Sequence, residues 1–222
     1  MGRVVLKVGG AVAEDAAALV FALHAEGEEV CVVHGAGPQI SAEMEKRRLE
    51  VEFVGGRRVT SPAALQVVRD SLAAVNSALC AAIGPRAVAL MGDEIGLEAD
   101  EVPELGRVGT PRPCSPAPIE RALAEGLIPV VAPLARGPLN VNADEAAVAL
   151  AAGLSADRVL FVTDVPGLLR DGSVVASIGA DEAERLLESN GLEGGIVPKL
   201  RAAVDAARLG LKVAIGETEV VA

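Results

Sequence analysis

The chain has 222 residues and a formal net charge of −11; 51% of it is hydrophobic, but with three Phe, no Trp and no Tyr that share is aliphatic. The acidity argues against nucleic acid or an anionic membrane as a partner, and the missing aromatics remove a stacking platform for single strands. Cys31, Cys80 and Cys114 follow neither a metal spacing nor a disulfide framework, which fits a reducing cytoplasm, and no apolar run approaches the roughly 18 residues of a membrane span.

The chain opens with Arg3-Val4-Val5-Leu6-Lys7-Val8-Gly9-Gly10, a buried strand of β-branched residues ended by two glycines. It is not a basic region followed by an apolar stretch, so no signal peptide is expected. Lys7 is costly to bury alone, but near a strand end it can aim its ammonium into a crevice above the sheet. The glycines expose backbone N–H donors there, so the stretch suggests an anion site, most simply for phosphate; an edge strand with a snorkelling lysine is the bland alternative. Residues 11–26 predict an amphipathic helix stopped by Gly27, and 30–33 a second buried strand. That strand runs into His34-Gly35-Ala36-Gly37-Pro38. Pro38 suits a first helical turn, so residues 35–37 form a strand-to-helix loop and a second candidate phosphate site.

The helix continues to Leu49. Residues 51–60 alternate and turn, which suggests a hairpin or loop carrying Arg57 and Arg58. Arg58 can fork a carboxylate, whereas Arg57 reads as a solvated surface arginine. Ser61-Pro62 caps a helix over 62–83 with Leu65, Val68, Leu72, Val75 and Leu79 at helical spacing. A strand over 87–91, a turn over 92–96, a Pro- and Gly-rich loop or hairpin excursion over 98–118, a helix over 119–125 and a strand over 127–132 follow. Asn142 then reads as an N-cap for a helix running to Gly153, with Asp144 in its first turn, where the dipole favours a carboxylate. Asn140 caps nothing obvious. A buried strand over 157–162 ends in the turn Thr163-Asp164-Val165-Pro166-Gly167. A polar hairpin over 168–177, a helix over 180–188, a glycine turn before Lys199, a helix over 201–209 and a strand over 212–215 complete the order. Lys199 opposes the helix dipole, a local cost that suggests it meets an anion. Strands alternate with helices throughout, which means a parallel or mostly parallel sheet covered on both faces. The glycine loops fall at the carboxyl ends of strands, where open α/β sheets bind ligands. There is no P-loop motif and no full dinucleotide fingerprint.

Taken together, Lys-Val-Gly-Gly at 7–10, His-Gly-Ala-Gly-Pro at 34–38, Gly-Arg-Arg-Val-Thr at 56–60, Asn-Val-Asn-Ala-Asp at 140–144, Thr-Asp-Val-Pro-Gly at 163–167 and Gly-Gly-Ile-Val-Pro-Lys at 194–199 resemble the amino acid kinase family. The likeness runs from Val4 to about Ile215. It implies an open three-layer αβα sandwich, and within the family it points to the branch that transfers the γ-phosphoryl of ATP to the side-chain carboxylate of N-acetyl-L-glutamate in arginine biosynthesis. By that resemblance Lys7 and Lys199 would stabilise the transition state and Asp144 would hold them. Backbone amides of Gly9, Gly10, Ala36 and Gly37 would cradle the phosphoryl group. Arg58 would grip the α-carboxylate of the substrate, with Asn140 helping to orient it. Thr163, Asp164, Val165, Gly167, Leu168 and Gly195 would lie by the nucleotide, and Mg²⁺ would accompany ATP. The part over about 1–135 would bind the acyl amino acid and dimerise, and the part over about 136–222 would bind the nucleotide.

The chain departs from the family's pattern in places. Ala36 stands where glycine is usual, residues 92–118 are short, the part after Ile215 is cut down, and the N-terminal helix associated with arginine-inhibited hexamers is not seen. The expectation is an arginine-insensitive cytoplasmic homodimer made mostly by the helix over 62–83. Two readings compete. One is a relative acting on an aminoadipate-type substrate or on carbamate; Arg58 and Asn140 argue for an amino-acid derivative with a free α-carboxylate, which carbamate lacks. The other, motivated by Ala36 and the trimmed end, is a non-catalytic binding protein.

Overall fold

A computed structural model describes residues 2–9, 13–163, 166–170, 172–189, 192 and 194–222. Of the residues singled out above, Gly10, Asp164 and Val165 lie outside the described residues. Alternation along β1 (Arg3–Val8) sets the layers, because successive side chains of a strand point to opposite faces. Val4, Leu6 and Val8 enter one apolar cluster, while Val5 enters another. Lys7 has the parity of Val5 and therefore faces the second.

After β1 come α1 (Ala13–Ala25), β2 (Glu29–His34) and α2 (Gly37–Lys46). A hairpin of β3 (Phe53–Val54) and β4 (Arg57–Arg58) turns on Gly55 and Gly56, whose φ values of 58° and 81° are those a two-residue primed turn requires. Next are α3 (Pro62–Ile83), β5 (Ala87–Met91), the one-turn α4 (Gly92–Ile95), β6 (Ala99–Glu101), β7 (Val108–Pro111), α5 (Ala117–Ala124), β8 (Ile128–Ala132), β9 (Leu134–Ala135), β10 (Leu139–Val141) and α6 (Ala143–Gly153). The chain continues through β11 (Arg158–Val162), the hairpin β12 (Leu169–Arg170) and β13 (Ser173–Val174), β14 (Ser177–Gly179), α7 (Ala180–Glu188), α8 (Ile196–Arg208), β15 (Lys212–Ile215) and β16 (Thr218–Val221).

The main sheet has eight strands in the order β14-β16-β15-β11-β1-β2-β8-β5. Every pairing in it is parallel except β15 with β16. One face carries α1 and α3 on Val30, Val32, Ile128 and Val130; the other carries α5, α6, α7 and α8. The three-layer expectation is met. Asn76, buried within α3, is accommodated because its amide nitrogen donates to the carbonyls of Val130 (3.0 Å) and Leu90 (3.3 Å), tying the helix to β8 and β5. Gly153 is demanded by proximity: a Cβ there would sit 2.1 Å from the Cys114 carbonyl oxygen.

Several elements differ from expectation. Residues 92–95 form a helical turn. The excursion over 98–118 and residues 134–141 contribute β6, β7, β9 and β10 to a second, four-stranded sheet. Strands of two to four residues carry too little periodicity to be read, and the same holds for β14 and β16. Helix α8 begins at Ile196, five residues early, because Pro198 sits in the first turn, where its missing N–H would have had no partner anyway.

Candidate active site

A cavity of about 340 Å³ opens above the carboxyl ends of β1, β2 and β8. Lys7 reaches its floor from β1. Its Nζ lies 2.9 Å from Oδ1 of Asp144, and both side chains are more than nine-tenths buried. Two local features put Asp144 there. Asn142 accepts hydrogen bonds from the backbone N–H groups of Asp144 (2.8 Å) and Glu145 (3.2 Å), so it is the cap of α6 as its sequence context predicted. The first turn of α6 then carries Asp144 onto the face of β1 to which Lys7 points. The Lys7 ammonium lies about 4.0 Å from where a Cβ on Gly35 would be, so this loop passes directly over it.

Ala36 and Gly37 line the same cavity at the start of α2. Ala36 has φ −139° and ψ 29°, so its φ is not one that calls for glycine. Arg58 enters from the hairpin. It is 6% exposed; its Nη2 donates to Ser41 Oγ (2.8 Å) and to the Gly37 carbonyl (3.1 Å), and its guanidinium lies 4.5 Å from the Phe53 ring centre. Burial pushes its pKa below the usual arginine value, yet a guanidinium stays charged. Among the described residues no carboxylate is paired with it. Asn140 lines the cavity from β10; its amide nitrogen donates to Thr60 Oγ1 (3.0 Å), and Thr60 in turn donates to the Arg58 carbonyl (2.8 Å). With its nitrogen engaged, Asn140 keeps Oδ1 as an acceptor.

The cavity thus gathers Lys7, Asp144, Ala36, Gly37, Arg58, Asn140 and Gly195. Lys199 directly follows Pro198, one turn beyond Gly195, and stands outside the lining, with its Nζ donating to the Gly195 carbonyl at 3.2 Å. Gly9 follows the last residue of β1. Thr163 and Gly167 lie beyond β11, away from this cavity, and Leu168 is packed in the apolar core with its N–H donating to Thr218 Oγ1 (2.8 Å). Arg57 departs from its reading as a solvated residue. Its side chain is about three-quarters buried and forks onto Glu145, with Nε to Oε1 at 2.9 Å and Nη2 to Oε2 at 2.8 Å. Eighty-eight residues separate the pair, so no local sequence signal could have revealed it.

His34, at the end of β2, is fully buried and neither ring nitrogen has a hydrogen-bond partner among the described residues. Burial lowers its pKa from 6.5 to about 4, partly offset by the adjacent Gly35 backbone and helped slightly by the Lys7 charge. The unfolded chain therefore binds a proton that the folded chain refuses between those values. The stability tied to neutral His34 is complete above pH 6.5 and drains as pH falls to 4, by roughly 3 kcal/mol. Urea midpoints across this window should fall more steeply for the native chain than for His34→Asn; equal slopes would show that His34 is not the group responsible.

Against known proteins, a model of the amino acid kinase family matches residues 2–217. The acetylglutamate kinase of Geobacillus stearothermophilus is 39% identical over 93% of this chain and 86% of that protein. The acetylglutamate kinase of Rubrobacter xylanophilus is 41% identical over 97% and 88%. Among solved structures, one from Streptococcus mutans UA159 aligns with a TM-score of 0.89 at 27% identity, covering 99% of this chain and 98% of that one. A carbamate kinase from Giardia lamblia bound to AMP-PNP shares the fold, with a TM-score of 0.72 at 16% identity over 99% and 98%. With the model matched over residues 2–217 and relatives at this identity covered over 86–88% of their own length, the chain belongs to the amino acid kinase family.

Proposed function

We propose that the chain is an acetylglutamate kinase, transferring the γ-phosphoryl group of ATP to the side-chain carboxylate of N-acetyl-L-glutamate. The observation that carries this reading is Arg58: a buried guanidinium with no carboxylate partner among the described residues, facing the cavity that Lys7 enters. A free α-carboxylate is the group a planar fork recognises best. Asn140 Oδ1 suits the N–H of the acylated α-nitrogen beside it.

In the reaction, a side-chain carboxylate oxygen attacks the γ-phosphorus, the bond from that phosphorus to the β,γ-bridging oxygen breaks, and ADP leaves with the bond's electrons. A carboxylate is already deprotonated at neutral pH, so the step needs no general base. What it needs is alignment and neutralisation of charge spreading over the phosphoryl oxygens. Lys7 serves from the floor, held by Asp144. Lys199 serves from the rim by leaving the Gly195 carbonyl for a phosphoryl oxygen. The N–H groups of Gly9, Gly10, Ala36 and Gly37 complete the cradle. Asp144 is the one carboxylate lining the cavity among the described residues, and it is engaged by Lys7. Mg²⁺ would accompany the nucleotide and would supply further offset of phosphate charge. Thr163, Asp164, Val165, Gly167, Leu168 and Gly195 are assigned to the nucleotide side.

No helix among the described residues is long and apolar enough to cross a membrane. Dimerisation through α3 is supported by an exposed row of small side chains, Ala73, Ala74, Ser77, Ala78 and Ala81, beside the sheet's edge strand β5.

The test is coupled ADP release, with hydroxylamine trapping of the acyl phosphate, over N-acetyl-L-glutamate, N-acetyl-aminoadipate and carbamate. Turnover should be fastest with N-acetyl-L-glutamate. ATP binding without turnover of any acceptor would replace this reading with a non-catalytic one. Within it, Lys199→Ala should lower kcat about a hundredfold while both KM values move less than threefold. An unchanged kcat would remove Lys199 from the transition state.

A further inference from the structure

The β3–β4 hairpin delivers Arg58 to the cavity, yet it has little apolar packing to hold it down. Phe53 and Val54, the whole of β3, are 53% and 49% exposed. What ties the hairpin to the body is polar: Arg58 itself donates to Ser41 and Gly37, the backbone of Thr60 just beyond β4 pairs with Leu105 and Arg107, and the tip is held separately. Arg57 forks onto Glu145 in the first turn of α6 and donates through Nη1 to Thr110 Oγ1 on β7 at 2.9 Å. Asn142 adds a hydrogen bond to the Gly56 carbonyl at 3.3 Å. Arg57 is also the wall between two spaces. It lines the 340 Å³ cavity on one side and, together with Glu145, a second cavity of about 250 Å³ behind the hairpin.

We propose that Arg57 and Glu145 form a latch that holds this hairpin closed over the substrate, which makes both of them positioning residues for capture of the acyl amino acid through Arg58. The inference rests on the reading of the cavity as an acyl-amino-acid site. A planar guanidinium making two parallel bonds to one carboxylate fixes orientation as well as distance. At about a quarter exposure the pair is better shielded than an open surface bridge. When the latch opens, the bonds of Arg58 to Ser41 and Gly37 are left to hold β4 against the cavity, and apparent affinity falls with the fraction of closed molecules.

A simpler role for these charges predicts a different pattern. If Arg57 merely added positive potential, removing it would weaken an anionic substrate, and removing Glu145 would strengthen it. The latch predicts that both removals weaken it. In Arg57→Leu and in Glu145→Ala, the KM for N-acetyl-L-glutamate should rise at least about fivefold, with kcat within about twofold of the native value. Backbone amide exchange over residues 52–59 should accelerate about tenfold in both variants. The reversed pair Arg57→Glu with Glu145→Arg should recover much of the loss. KM values that move in opposite directions, or faster exchange with unchanged KM, would overturn the positioning role; unchanged exchange would overturn the latch itself. Exchange is read without turnover, so an inactive native chain would count against the kinase reading and leave the latch to be judged on exchange alone.

Discussion

Lys7→Ala should cost both stability and catalysis, and the two losses can be separated. The Lys7–Asp144 pair is more than nine-tenths buried on both sides. Removing one member of such a pair leaves a charge that neither water nor a partner can satisfy, at a cost of about 3–5 kcal/mol. On the proposed mechanism the same substitution removes a cation that serves the transferring phosphoryl group, worth about 10²–10³ in kcat by analogy with single oxyanion donors. Adding Asp144→Ala takes away the orphaned carboxylate. Chemical denaturation of the double variant should therefore show most of the lost stability returning, while kcat stays low. If kcat returned together with stability, Lys7 would be a structural residue and the phosphoryl assignment would fail.

Arg58→Ala should act almost entirely on the acceptor. Hydrogen bonds to charged groups contribute about 1.5–3 kcal/mol each, so KM for N-acetyl-L-glutamate should rise between about tenfold and a hundredfold. KM for ATP should hold, and Arg58→Lys should recover only part of the loss because an ammonium lacks the planar fork. Stability should barely suffer, since the native guanidinium is buried at a desolvation cost without a carboxylate to offset it among the described residues. Thermal shift gives an independent reading: N-acetyl-L-glutamate raises Tm by preferential binding to the folded chain, and that rise should shrink in Arg58→Ala. A change confined to the KM for ATP would mean that the cavity has been assigned to the wrong substrate.

Much of the site was legible because its parts are local. Lys7 sits at an alternating position near a strand end, Asn142 and Asp144 at a helix start, and Gly35 to Gly37 between a strand and a proline-led helix; each signal needs only a few neighbours in sequence. The hairpin was legible for the same reason, since Gly55-Gly56 between short strands demands a primed turn. What escaped were short strands and distant pairs. The four-stranded sheet is assembled from pieces of two to four residues with no periodicity of their own. Arg57 looked like a solvated arginine because nothing within a turn of it hints at Glu145.

The sequence by itself determined the order of the longer strands and helices, the cover on both faces of the sheet and the glycine loops at its carboxyl edge. These follow from hydrophobic periodicity and backbone freedom, which act over a few residues. Only the tertiary structure decided that Lys7 meets Asp144, that Arg58 is buried against Ser41 and Phe53, that Lys199 turns back on Gly195, and that Arg57 locks onto Glu145. Lys7 with Asp144 and Arg57 with Glu145 are encounters between side chains far apart along the chain. Their strength depends on distance, burial and orientation in space, which residue spacing does not encode.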